Sequence, residues 1–393
     1  MKKVLGSLVL WLLLGGILSA EWFAVRDGLP HCQKVFETTG KGTVAFVGGS
    51  ITEMNGWRNL VCEELQRRFP NTEWEFIAAG ISSTGSTPGA FRLTTDVFQE
   101  GKKIDLLFEE AAVNDSTNFR TPTEMLRGME GIVRQAKRLN PQVDIVMMHF
   151  AEPDKCRDYR AGRTPVVIAT HEKVAEHYRI PSINLAKEVT DRIDAGEFSW
   201  EKDFRDLHPA PFGHRLYANT ISRLFDAVWP KNATPASPTT SELPPPLDPF
   251  SYFHGHYVSI NAAILSEGWQ RVEAWKPTLS AGTRRGFVHV PMLECTVPGK
   301  VLEFPFEGTA VGIFAIAGPD TGIVEYSVDD APWKQKDFFT PWSSGLYLPW
   351  SQIFEAELAE GKHTLRLRMA ENKNEKSAGT ALRIVHFLVN GQD

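Results

Sequence analysis

The sequence predicts an α/β domain followed by an all-β domain, and three observations carry that reading. Strand and helix signals alternate from about Thr43 to Trp229. The composition turns abruptly to Pro, Ser and Thr at Pro230. Beyond that stretch the signals are those of strands and turns. Alternation implies parallel strands joined by right-handed crossovers, hence a three-layer α/β/α sandwich with a parallel sheet. Short strands punctuated by turns imply a C-terminal β-sandwich.

The strands of the first region are short apolar runs bounded by polar or Gly residues, as suits strands buried on both faces. They are Thr43–Gly48, Trp74–Ala78, Ile104–Ala111, Val143–Phe150 and a shorter run, Ile180–Leu185. Between them, Trp57, Leu60, Val61 and Leu65 form one apolar stripe at helical spacing. Met125, Met129, Ile132, Val133, Ala136 and Leu139 form another. The second helix opens with Thr121-Pro122-Thr123-Glu124, a capping box with Pro at the first helical position. In the second region strands are expected at Val301–Phe306, Ala310–Ala317, Gly322–Val328, His363–Met369 and Leu382–Val389.

Residues 1–20 stand apart. Lys2 and Lys3 precede the apolar stretch Val4–Ile17, and Leu18-Ser19-Ala20 offers a small-residue cleavage site. This pattern predicts a secretory signal peptide and an exported protein, periplasmic or secreted. The expected organisation is signal peptide 1–20, catalytic domain 21–229, Pro/Ser/Thr-rich linker 230–246 and β-sandwich 247–393. No later segment approaches the roughly 20 apolar residues of a membrane span, so no membrane association is expected after cleavage. The formal net charge of −6 and the lack of a strong basic patch argue against nucleic acid as a partner. Cys32, Cys62, Cys156 and Cys295 match no zinc-ligand spacing. Export permits disulfides, but four cysteines allow three full pairings and the sequence selects none of them.

Four segments carry chemistry. In Val44-Ala-Phe-Val-Gly-Gly-Ser50-Ile-Thr52 a strand runs into two glycines, a Ser and a helix start. Sites gather at the carboxyl ends of strands in such sheets, and a helix start there would aim N–H groups at a developing oxyanion. A Gly-rich turn with a capping Ser accounts for the segment equally well. Asp206-Leu-His208-Pro-Ala-Pro-Phe-Gly-His214 lies before a helix near the end of the region. A serine hydroxyl needs a base to take its proton, and a His backed by a carboxylate does so. His214 is expected to pack or cap instead. Glu109-Glu110-Ala-Ala-Val-Asn114-Asp115 follows the third strand, where an amide N–H could donate to an oxyanion, an interaction worth roughly 3–4 kcal/mol when removed. Ala79-Gly-Ile-Ser-Ser83-Thr-Gly85 follows the second strand and could supply a backbone N–H at the same edge.

Taken in this order, the four blocks resemble those of the SGNH (GDSL-like) hydrolase superfamily over roughly residues 40–229. The resemblance implies Ser50 as nucleophile and His208 as base. It also implies an oxyanion hole from the Ser50 N–H, a loop N–H at Ser83 or Gly85, and the Asn114 side chain. Several positions depart from the family pattern. No Asp precedes Ser50, although the Gly-Gly-Ser-Ile-Thr form is similar to that of bacterial members acting on sugar esters. Ser83 stands where Gly is usual, and Ala112 likewise. Arg205, not Asp, stands three residues before His208. Asp206, in an Asp-x-His spacing similar to that of some carbohydrate esterases, is the expected acid, with Asp203 the alternative. A Ser-His dyad with a carbonyl behind the His also stays open. Arg92, Glu110 and His149 are further candidates for lining the cleft.

Five tryptophans, Trp269, Trp275, Trp333, Trp342 and Trp350, follow the linker. Aromatic faces stack on pyranose rings, so some of them could form a carbohydrate-binding surface, while others fill a sandwich core. The resulting expectation is an exported serine esterase without metal or cofactor. It would remove small acyl groups, chiefly acetyl, from a polysaccharide or oligosaccharide. A lipase or thioesterase on the same machinery and a catalytically silent carbohydrate-binding protein are the alternatives. The sequence leaves the oligomeric state open.

Overall fold

Residues 22–230 and 242–391 are described by the computed structural model. The predicted signal peptide and residues 231–241 of the predicted linker lie outside the described residues. The first region forms a six-stranded sheet from β1 (Phe23–Ala24), β2 (Lys41–Gly48), β3 (Glu73–Gly80), β4 (Leu106–Glu110), β5 (Asp144–Met148) and β6 (Ser182–Ile183). Its order is β1-β6-β5-β4-β2-β3, and every pair is parallel except β1 with β6. All five expected strands are present. The β1 edge, two residues long, carried no sequence signal.

Among the described residues ten helices accompany the sheet: α1 (Pro30–Thr39), α2 (Ser50–Glu53), α3 (Trp57–Arg68), α4 (Ser86–Asp96), α5 (Ala112–Thr117), α6 (Pro122–Leu139), α7 (Pro153–Arg160), α8 (Val166–His177), α9 (Leu185–Asp194) and α10 (Pro211–Val228). Successive strand residues face opposite ways. Val44 and Phe46 join Leu106 and Phe108 in one core with α1, α3 and α10. Ala45, Val47 and Leu107 join another with α4 and α6. The Phe46 and Phe108 rings stack at 5.2 Å, so truncating either to Ala would cost about 3–5 kcal/mol. The expected capping box holds: Thr121 Oγ1 accepts from the Glu124 N–H, and Glu124 Oε2 accepts from the Thr121 N–H at 2.8 Å. Leu139 is the exception on the α6 stripe and is exposed.

The second region is built of sheets of seven and five strands, antiparallel except where Gly282–Thr283 runs parallel to Leu346–Tyr347. In the larger, Ala310–Ala317 lies between Leu346–Glu355 and Leu382–Asn390. In the smaller, Lys362–Met369 lies between Leu302–Glu307 and Ile323–Val328. Phe304 of one sheet stacks on Phe387 of the other at 3.9 Å, at the centre of the sandwich core.

The two domains share a core. Ala310–Ala317 is buried on both faces, and its outward residues Phe314 and Ile316 join Phe91 of α4 and Ile132 of α6 in one apolar cluster. A Cβ on Gly131 would lie 2.8 Å from the Tyr252 carbonyl oxygen, so a glycine there permits the close approach. Polar contacts fix the dock. Arg120 Nη2 donates to the Ser351 carbonyl at 2.7 Å, and Arg127 pairs with Asp248 at 2.8 Å and Glu357 at 2.6 Å. The end of the expected linker takes part as well: Arg134 donates to the Pro244 carbonyl and Glu130 accepts from the Leu247 N–H. Among the described residues no helix is long and apolar enough to cross a membrane.

Candidate active site

Strand β2 ends at Gly48 and delivers Ser50 to the carboxyl edge of the sheet. A Cβ on Gly48 would lie 2.4 Å from Thr52 Oγ1 and 2.9 Å from the Glu110 carbonyl, so this turn closes only around glycine. The helix behind Ser50 differs from expectation. α2 spans four residues and the chain restarts as α3 at Trp57, so no long helix stands behind the serine.

His208 comes from the loop before α10. Its Nε2 lies 2.8 Å from Ser50 Oγ. Burial lowers the His208 pKa from 6.5; the Asp206 carboxylate opposes that shift and the Arg284 guanidinium adds to it. Asp206 Oδ1 accepts from the His208 backbone N–H at 3.3 Å and lies 3.8 Å from Nδ1, too far for a hydrogen bond. Asp203 is engaged elsewhere. Its carboxylate accepts from the Ser199 N–H at 2.8 Å and closes the π-type turn Trp200–Phe204. The next residue, Arg205, has φ +73° and reverses the chain toward Asp206. His214 packs in α10, with Nδ1 accepting from the Trp57 N–H at the start of α3.

Ser50, Ser83, Asn114 and His208 line a pocket of about 100 Å³, together with Thr117, Asn118 and Leu207. Gly85 is not among the lining residues. A Cβ there would lie 2.1 Å from Asp115 Oδ1, so Gly85 makes room for that carboxylate. Asp115 is fully buried, accepts from Ser86 N at 2.9 Å and Ser86 Oγ at 2.6 Å, and lies 3.1 Å from His171 Nε2. It thereby ties the α4 start to the helix carrying Asn114. Glu53 ties down the loop's other side, accepting from the Ser82 N–H at 2.8 Å and from the Ser82 hydroxyl. Between these anchors Ser83 is held at φ +70°, the left-handed region that glycine occupies freely.

Three expected cleft residues lie elsewhere. Arg92, Glu110 and His149 are each no more than 1% exposed. Arg92 pairs with Asp96 at 2.9 Å and donates to the Gly48 carbonyl. Glu110 accepts from the Val113 and Phe150 N–H groups, and burial pushes its carboxyl up to about 7. His149 Nε2 lies 2.8 Å from Glu172, which Arg26 also pairs. Each is an interior group held by at least one polar partner: Glu110 and His149 because strand ends point side chains into the layers as often as toward the edge, Arg92 because it lies inside α4.

Two residues of the pocket come from the second domain: Arg284 and Trp342. Of the five tryptophans considered, Trp269, Trp275 and Trp350 are buried, whereas Trp333 and Trp342 are exposed. Trp333 is covered by the Arg368 guanidinium at 4.2 Å. Trp342 also borders a recess of about 430 Å³ with Phe119 and Val166, both largely exposed. No local pattern marks Arg284 or Trp342, since only the domain dock brings them to Ser50. The four cysteines are free thiols. Among the described residues no group of three or more His, Cys, Asp or Glu is arranged to hold a metal.

The whole two-domain architecture has a solved counterpart. The crystal structure of a two-domain esterase active on acetylated mannans matches with a TM-score of 0.75 at 21% identity, covering 95% of this chain and 98% of that one. A structure of such an esterase co-crystallised with mannopentaose matches at 0.73 with the same identity and coverage. At this identity the likeness speaks for the fold. No curated protein matches the sequence. Residues 46–216 match the model of the GDSL-like lipase/acylhydrolase family, and that span holds Ser50, Ser83, Asn114 and His208. The first domain is therefore a GDSL-like lipase/acylhydrolase domain, and the chain is a carboxylic ester hydrolase built on it.

Proposed function

We propose that the chain is an exported serine esterase that removes small acyl groups, chiefly acetyl, from a polysaccharide or oligosaccharide. The 2.8 Å approach of Ser50 Oγ to His208 Nε2 carries this reading. Ser50 attacks the ester carbonyl as His208 Nε2 takes its proton. The tetrahedral oxyanion is held by the N–H groups of Ser50 and Ser83 and the Asn114 amide. His208 returns the proton to the departing sugar alkoxide. Water then clears the acyl-enzyme by the same route. Asp206 biases the His208 ring electrostatically.

The size of the pocket supports a small acyl group. A volume of about 100 Å³ suits acetyl. Trp342 supplies a flat apolar face beside it for a sugar ring. The similarly built esterase that acts on acetylated mannans adds support for the glycan. The test is acetate release from a panel of acetylated polysaccharides, run beside 4-nitrophenyl acetate and octanoate. Release from a glycan that disappears in Ser50→Ala is expected. Hydrolysis of octanoate with no glycan activity would replace this reading with a lipase.

A further inference from the structure

Most arginines of this chain answer to a carboxylate. Arg92 pairs with Asp96, Arg127 with Asp248, and Arg383 with Asp320. Four that do not, Arg58, Arg271, Arg284 and Arg285, stand together along the boundary between the domains. Arg284 lines the catalytic pocket. Its neighbour Arg285 lines a recess of about 1010 Å³ between the domains, as do Arg58 and Arg271. Arg58 Nε donates to the Thr52 carbonyl at 3.2 Å, and Arg271 donates to Asn261. Arg284 Nε is buried without a partner.

Three acids line the same recess, Glu53, Asp96 and Glu273. Asp96 is already neutralised by Arg92. Glu53 and Glu273 are then the acids left to face Arg58, Arg271 and Arg285 of the recess and Arg284 of the adjoining pocket, so the cleft carries a modest excess of positive charge in a chain whose formal net charge is −6. A guanidinium taken partly out of water with no acceptor is unfavourable until a ligand supplies one, and its rigid fork suits carboxylate and sulfate oxygens.

We propose that the inter-domain cleft binds an anionic glycan, with Arg284 and Arg285 holding acidic groups of the chain that carries the ester. The acidic groups are uronate carboxylates or sulfate esters, which offer the same oxygens. The chain runs from the large recess past the consecutive arginines to Ser50. This assignment rests on the esterase reading for what happens to the glycan, but not for its binding.

Calorimetric titration of the whole protein with unacetylated oligosaccharides of equal length tests it. The ligands are an oligogalacturonate, a sulfated galacto-oligosaccharide and a neutral manno-oligosaccharide, each at low and high ionic strength. At least one anionic ligand is expected to bind about tenfold more tightly than the neutral one, the worth of one charge-assisted hydrogen bond. Its affinity should fall with salt and fall again in Arg284→Gln/Arg285→Gln. Whichever anion binds more tightly names the acidic group. Equal or tighter binding of the neutral ligand, or anionic binding unchanged in the double variant, overturns the proposal. If the double variant melts early, the single variants Arg285→Gln and Arg271→Gln give the same reading. Anionic binding by a chain that deacetylates nothing would sink the esterase and leave the cleft assignment. Ser50-dependent release from glycans without anionic binding would do the reverse.

Discussion

The Asn114 side chain occupies the space that a β-carbon on residue 49 would need. A Cβ on Gly49 would lie 1.9 Å from Asn114 Oδ1 and 3.2 Å from the Thr84 carbonyl. Gly49→Ala should therefore displace the amide while leaving Ser50 and His208 in place. Loss of one oxyanion donor predicts a fall in kcat of about 100-fold on 4-nitrophenyl acetate, with the melting temperature reporting that the fold survives. A rate within a few-fold of wild type would remove Asn114 from the oxyanion hole.

The base must be neutral to act, and burial lowers the His208 pKa from 6.5. Activity is then present above the lowered pKa and lost as pH falls through it. The acid limb of kcat/KM should lie below about 6.5. Two charged groups face the ring, with opposite effects. Removing the Asp206 charge should move the limb to lower pH. Removing the Arg284 charge should move it to higher pH.

Asp206 and Asp203 are separable by what each holds. Asp206→Asn should lower kcat about tenfold, well short of the ~10⁴ loss for a buried triad Asp, because this carboxylate is 65% exposed and 3.8 Å from Nδ1. Asp203→Ala removes the acceptor for the Ser199 N–H and should cost about 1 kcal/mol of stability with little change in kcat. Denaturant melts and steady-state rates on both variants decide it. A collapse of kcat in the Asp203 variant would reverse the assignment.

Ser83 at φ +70° tests the strain in the oxyanion loop. Ser83→Gly should fold with unchanged or slightly higher stability, because relief of about 1 kcal/mol of backbone strain offsets the added freedom of glycine in the unfolded chain. Ser83→Val, β-branched in a left-handed position, should lose more stability than that and lower kcat. Equal melting temperatures for the two would show that the loop shifts freely.

The strands and their order of use were legible because buried parallel strands are written as unbroken apolar runs, and Val44, Phe46, Leu107 and Met147 follow that rule. Ser50, His208 and Asn114 were legible because the family blocks keep their order along the chain. The strand Leu346–Glu355 was not among the expected strands: Pro349 breaks its apolar run, yet Pro349 pairs opposite Ile316 inside the sheet. Glu110 and His149 misled because proximity to a strand end in sequence does not say toward which layer a side chain turns, and Arg92 because it lies inside α4 and turns to the interior. Arg284 and Trp342 were beyond reach, since they meet Ser50 only through the packing of Phe314 and Ile316 against α4 and α6.

That packing bears on how the molecule comes apart. An apolar cluster that draws on both domains cannot be melted on one side while the other stays intact, so heating should give one calorimetric transition rather than two. A catalytic fragment ending near residue 230 would turn Phe91 and Ile132 out to water and would aggregate rather than work alone. Cleaving the chain between the domains would divide the polypeptide without dividing the enzyme.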